Sequence, residues 1–213
     1  MIKIYFNNSA NLDESNLTHI DINKIISLKS SKKILSWGGN VNGQLGLGFE
    51  NNSVSIPKEI NLYSDINPKI KKIVCSKAAT GILLQHGEII TFGSTREGVL
   101  GHHFVSSGKN ETLPRLLEEL EDEKIVDLSL GDHHAAAINE KGEVYFWGSY
   151  NHGKLGFKKI KKDHRARRTR NSGSAIQKVP RKSEFFGTKE GQINAKKILC
   201  TNQNTFIIGI LIF

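Results

Sequence analysis

The residues best able to do chemistry in this 213-residue chain are eight histidines, two cysteines, scattered carboxylates and one dense basic run. Histidine can ligate a metal or carry a proton, yet the suggestive ones here are adjacent, His102-His103 and His133-His134. Neighbours in a strand point to opposite faces, so neither pair can close on one ion from extended backbone. Asp127 and Asp132 flank a strand-like segment, and no further carboxylate is placed to converge with them. Gly-x-Ser-x-Gly, His-Glu-x-x-His and Cys-x-x-Cys are all absent. The run GQLGLG, from Gly43, lacks the Lys-Ser/Thr ending and the strand-to-helix setting of a phosphate loop. The expectation is no catalytic residue, no metal site and no cofactor.

The basic run is KKIKKDHRARRTR. Its Lys158, Lys159, Lys161, Lys162, Arg165, Arg167, Arg168 and Arg170, against Asp163, supply +7 of the formal net charge of +9. The chain is therefore a near-neutral scaffold carrying one cationic loop. Such a run cannot pack and belongs on the surface. It suits a nuclear import signal, phosphate contact with nucleic acid or chromatin, attraction to an anionic membrane, or simply a solvated linker. No aromatic residue interleaves the charges, so nucleic acid would be held through phosphates rather than by base stacking. The acidic stretch Glu118-Glu119-Leu120-Glu121-Asp122-Glu123 reads as a solvated connection.

The elements that must position these residues announce themselves by repetition. ILSWGGNVNGQLGLGF, EIITFGSTREGVLGHHF and EVYFWGSYNHGKLGF align without a gap. Trp37, Phe92 and Trp147 are spaced by 55, as are Gly38, Gly93 and Gly148, then Gly43, Gly98 and Gly153, then Gly46, Gly101 and Gly156. A constant period means one supersecondary unit reused. The column at Gly43 predicts one fixed turn per unit, because glycine serves where φ is positive or backbone approach is tight. Short β-rich runs divided by Gly, Asn, His-Gly and Lys-Gly turns are an antiparallel meander. About four such strands per unit of 55 suit a propeller blade. Cys75, Leu130 and Cys200 occupy one column in IKKIVCS, EKIVDLSLG and AKKILCT. A position taking Cys, Leu and Cys is a buried apolar slot, so both thiols are expected packed and reduced.

Tryptophan-glycine, then asparagine, glycine and leucine-glycine, then an isoleucine-rich strand before Gly-x-x-His, resembles the regulator of chromosome condensation repeats. IVDLSLGDHHAAAINEKGEVYFWGSYNHGKLG, with Gly131, His134, Gly142, Trp147 and Gly148, is closest to that pattern. The first copy departs from it with Ser76 and Ala79, and the third with Thr201 and Asn204. The resemblance implies an all-β propeller and an interaction scaffold. It also implies the alternatives of a guanine-nucleotide exchange factor for a small Ran-like GTPase, or a chromatin-binding propeller contacting DNA or histones. At the repeat histidine, His134, it implies a hydrogen bond between strands.

The expected organisation is an N-terminal extension or degenerate strand over 1–17 and a propeller repeat region over 18–213. Its units fall at about 34–87, 88–142 and 143–208, with a basic insertion at 158–173 and a degenerate partial copy in Thr18 to Lys33. Family members have seven blades, which at 55 residues each would take about 385 residues. An incomplete ring is therefore expected, able to self-associate through open edges. The longest nearly apolar run, Phe206 to Phe213, is far short of the roughly 20 residues of a membrane span. The amino terminus lacks a secretory pattern, so the expected location is intracellular, cytoplasmic or nuclear.

Overall fold

A computed structural model describes residues 33–62, 69–103, 109–157 and 176–213. Thr18 to Lys32 and the whole basic run lie outside them. The described residues are all β, apart from single 3-10 turns at Arg96–Gly98, Glu118–Leu120 and Asn151–Gly153. No helix among them is long and apolar enough to cross a membrane.

The strands are β1 Leu35–Asn40, β2 Asn51–Glu59, β3 Ile70–Cys75, β4 Ala79–Leu84, β5 Ile89–Gly93 and β6 Glu111–Leu116. They continue as β7 Ile125–Leu130, β8 His134–Asn139, β9 Val144–Ser149, β10 Ile176–Lys182, β11 Ile193–Cys200 and β12 Thr205–Leu211. Two complete four-stranded sheets, β3-β4-β5-β6 and β7-β8-β9-β10, sit between two two-stranded ones, β1-β2 and β11-β12. Every named pairing is antiparallel. Each complete sheet takes its first pair of strands from one sequence unit and its second pair from the next. The period thus runs across sheet boundaries and ties neighbouring blades into one chain.

The same irregularity recurs in β3, β7 and β11. Register shifts fall between Ile70 and Lys72, Ile125 and Asp127, and Ala195 and Lys197. A bulge adds twist and re-aims the side chains that follow it. Alternation then gives each four-stranded sheet two apolar faces, and three clusters fill the spaces between successive sheets. Ile34 and Ile60 meet Ile82, Ile90 and Phe92. Leu83 and Ile89 meet Leu128, Leu130, Ala137 and Trp147. Ala136, Ile138 and Phe146 meet Ala195, Ile198 and Cys200. The expected fixed turn is present, with φ of +72° at Gly43, +70° at Gly98 and +71° at Gly153.

One expectation fails. Cys200 is buried, and burial pushes its thiol up to about 12, but Cys75 is exposed. Leu130 is covered because β3 and β4 stand in front of it, and Cys200 because β7 and β8 do. Among the described residues, the sheet in front of Cys75 consists of β1 and β2 alone. The column is a slot only where the preceding sheet supplies its lid.

Candidate interaction surface

The residues that looked able to do chemistry are spent on joining sheets. His134 Nε2 lies 2.8 Å from Thr205 Oγ1, and that hydroxyl donates to the Lys154 carbonyl. The single hydroxyl proton is thereby used, so His134 must donate from Nε2 and carry no proton on Nδ1. Nδ1 is buried without a hydrogen-bond partner. His102 repeats the logic: its Nε2 is 2.9 Å from Thr91 Oγ1, which donates to the Leu100 carbonyl. Burial holds both imidazoles down, at about 4, helped by Arg115 near His102 and by Lys154 and His133 near His134. Their neighbours are less covered: His103 is exposed and His133 is half-buried, each in a bend.

Protonation should therefore loosen the fold. Both histidines have a folded pKa below the unfolded value near 6.5, so the unfolded chain takes up protons first as pH falls. Stability is full above about pH 6.5, declines down to about pH 4 and is then flat. Linkage gives a loss of about 1–2 kcal/mol per histidine between pH 7 and pH 5. Urea midpoints at those two pH values measure it, and His134→Gln, which keeps a donor for Thr205, should flatten the difference. An unchanged slope in that variant would exclude His134 as a source.

Asp127 joins three sheets. Its Oδ1 accepts from Lys72 Nζ on β3 at 2.7 Å and its Oδ2 from the Ile198 N–H on β11 at 3.0 Å. Asp132 Oδ1 accepts from the Lys77 N–H at 3.0 Å. The acidic connection is not wholly solvated either. Glu123 accepts from Tyr145 Oη at 2.6 Å and from Asn139 Nδ2 at 2.8 Å, and Leu120 is buried. Burial and Glu123 push the Tyr145 phenol well above its ordinary range. Among the described residues no three His, Cys, Asp or Glu side chains gather as for a metal.

What remains for a partner is at the sheet ends. His134 is opposite Gly148, so the turn at 131–133 and the connection leaving β9 emerge at the same end. A polar cluster lies there, with His133 Nδ1 3.5 Å from Glu97 Oε2 and Lys154 close by. The segment flanking the basic run is firmly seated. Phe157 packs edge-on to Phe146 at 5.9 Å, Arg181 lies 4.5 Å over the Phe157 ring, and Ile176 opposes Ser149. Lys158, Lys159, Lys161, Lys162, Arg165, Arg167, Arg168 and Arg170 themselves are outside the described residues.

The Regulator of chromosome condensation (RCC1) repeat family matches residues 33–83 and 86–138. The chain carries RCC1 repeats. The E3 ubiquitin-protein ligase HERC2 of Mus musculus is 35% identical over 127 residues, covering 58% of this chain and 2% of that protein. The Regulator of chromosome condensation of Mus musculus is 37% identical over 128 residues, 58% of this chain and 28% of that protein. The crystal structure of Prp20p from Saccharomyces cerevisiae superposes with a TM-score of 0.68 over 87% of this chain and 41% of Prp20p, at 20% identity. This chain thus spans less than half the length of each of these three proteins.

Seen as RCC1 repeats, the sheet junctions share one acceptor. The carbonyl of the residue before each Leu-Gly pair accepts a bond from the next sheet. Gln44 takes Thr80 Oγ1, Val99 takes Trp147 Nε1 and Lys154 takes Thr205 Oγ1, each at 2.8 Å. Where the threonine column holds Ala135, the tryptophan supplies the donor instead.

Proposed function

We propose that this chain is a non-catalytic protein-interaction scaffold whose blade-end connections, the basic run foremost, engage an acidic partner. The observation that carries it is the commitment of His102, His134, Asp127 and Asp132 to bonds within and between sheets. Binding is left to the ends, where the cationic connection is anchored by Phe157 and Ile176. Prp20p, whose structure was reported with its binding properties to Gsp1p and histones, favours protein partners.

Replacing the eight Lys and Arg of 158–170 by Gln tests the scaffold reading. Binding to nucleosome core particles should fall at least tenfold and should weaken steeply with salt in the unmodified chain. Binding that survives the substitutions would remove the basic run from the interface. Release of labelled GDP from a Ran-type GTPase addresses the exchange-factor alternative in parallel. Acceleration by this chain would replace the scaffold reading with exchange.

A further inference from the structure

At the sheet ends away from the basic run, the units differ at one position. The N–H groups of Ile60, Leu117 and Ser183 donate to the carbonyls of Ile34, Ile89 and Val144, which are spaced by 55. The three donors therefore occupy one repeat position, and all three are buried. Isoleucine and leucine fill it twice; serine, shorter and polar, leaves space there. Lys182 likewise stands where Leu116 does, and Asn139 where Leu84 does. The connection onward is also longer, since more residues separate Ser183 from Ala195 than separate Leu117 from the equivalent Ile125.

An open cavity of about 410 Å³ lies at this point, a volume within the range of small-molecule sites. Its walls are braced. Phe186 forms an apolar side, with its ring 6.3 Å from that of Phe146. Gln192 ties the connection together, donating from Nε2 to the Glu184 carbonyl at 2.9 Å and accepting from the Lys189 N–H at 3.1 Å. The Gly187 and Ile193 N–H groups close it further, on the carbonyls of Ile193 and Phe185. The charged lining is two amines and two carboxylates. Lys182 Nζ lies 2.6 Å from Glu143 Oε1, and Asn139 Nδ2 donates to Glu143 Oε2 at 2.9 Å, so that pair is satisfied internally. Glu184 and Lys189 line the cavity too, and neither has an ion pair among the described residues. Ser183 Oγ accepts from the Phe185 N–H at 3.4 Å, which leaves its own proton to donate.

One open charge of each sign, a hydroxyl donor and an apolar wall match a ligand that carries the complementary groups together. We infer that this cavity binds a zwitterionic α-amino acid with an apolar side chain. Its carboxylate meets Lys189 and Ser183, its ammonium meets Glu184, and its side chain lies on Phe186. The site is independent of the surface proposed above. Glu143 and Lys182 are at the far end of β9 and β10 from Ser149 and Ile176, which oppose each other on either side of the basic run. The cavity is open and its charges stay partly hydrated, so modest affinity is expected.

Titration of the full chain with L-phenylalanine, followed by amide NMR shifts, tests it. Saturable shifts are expected over residues 183–192, with a dissociation constant of about 1 mM. Phenylpropionate, which lacks the amine, and phenylethylamine, which lacks the carboxylate, should each bind at least about tenfold more weakly. Ser183→Leu, which restores the residue of the preceding sheet, should abolish binding without lowering the urea midpoint. Lys189→Gln and Glu184→Gln, at exposed positions, should each weaken it about tenfold. Absence of saturable binding would overturn the inference. So would binding that Ser183→Leu or both charge variants leave intact, or equal binding of either single-charge analogue.

Discussion

Trp147→Ala should lower stability by about 3–5 kcal/mol, the range for truncating a large buried aromatic. Trp147 is fully buried and belongs to the cluster between the two complete sheets. Its indole also donates to the Val99 carbonyl at 2.8 Å. Truncation would open a cavity and strand that carbonyl in an apolar setting. Trp147→Phe separates the two contributions, because Phe92 fills the same column one sheet earlier and the ring shape is already accommodated. It should cost about 1–2 kcal/mol, the lost bond plus the smaller ring. The urea midpoint with an unchanged slope is the measurement. A loss under about 1 kcal/mol for the alanine variant would mean that this junction does not hold the sheets together.

That column was legible because identity repeats in it. Phe92 and Trp147 are both fully buried between sheets, and Trp37 repeats the residue type while half-buried, so the period shows through the sequence. The bonds between sheets were much less so. Lys72 and Asp127 are equivalent positions in successive units and carry opposite charges. A position that alternates in sign looks like surface variation until the sheets are stacked, when the alternation becomes an ion pair. Thr80 and Thr205 share a role, but Ala135 interrupts them and Trp147 takes over the donation. A function passed between residue types leaves no pattern in one column.

The histidines show the same limit. Adjacency argued correctly that His133 and His134 diverge, and the family resemblance implied a bond at His134. The partner, Thr205, is 71 residues away in the next sheet, beyond any local spacing. Cys75 misled for the opposite reason. Its column is right, yet burial depends on the preceding sheet rather than on the residue. The basic run, evident from composition, falls outside the described residues, so the candidate contact is known by its anchors Phe157 and Ile176 alone.

Gly148→Ala is the second large effect, and a paired variant explains it. Gly148 has a φ of +103°, and an added Cβ would lie 2.5 Å from the His133 carbonyl oxygen and from His134 Cα. Neither neighbour can yield, because the Ser149 N–H donates to the His133 carbonyl at 2.8 Å and His134 is pinned to Thr205. Unfavourable φ costs about 1–3 kcal/mol, and the backbone overlap adds to it, so a total of about 3–4 kcal/mol is expected. Gly153→Ala carries the first penalty without the second. Its φ is +71°, but nothing lies within 4 Å of the added Cβ. About 1 kcal/mol is expected there. The difference in urea midpoint between the two variants isolates backbone crowding at the blade end. Equal losses would show that conformation alone fixes the glycine column, and that the approach of β8 to β9 is not what demands it.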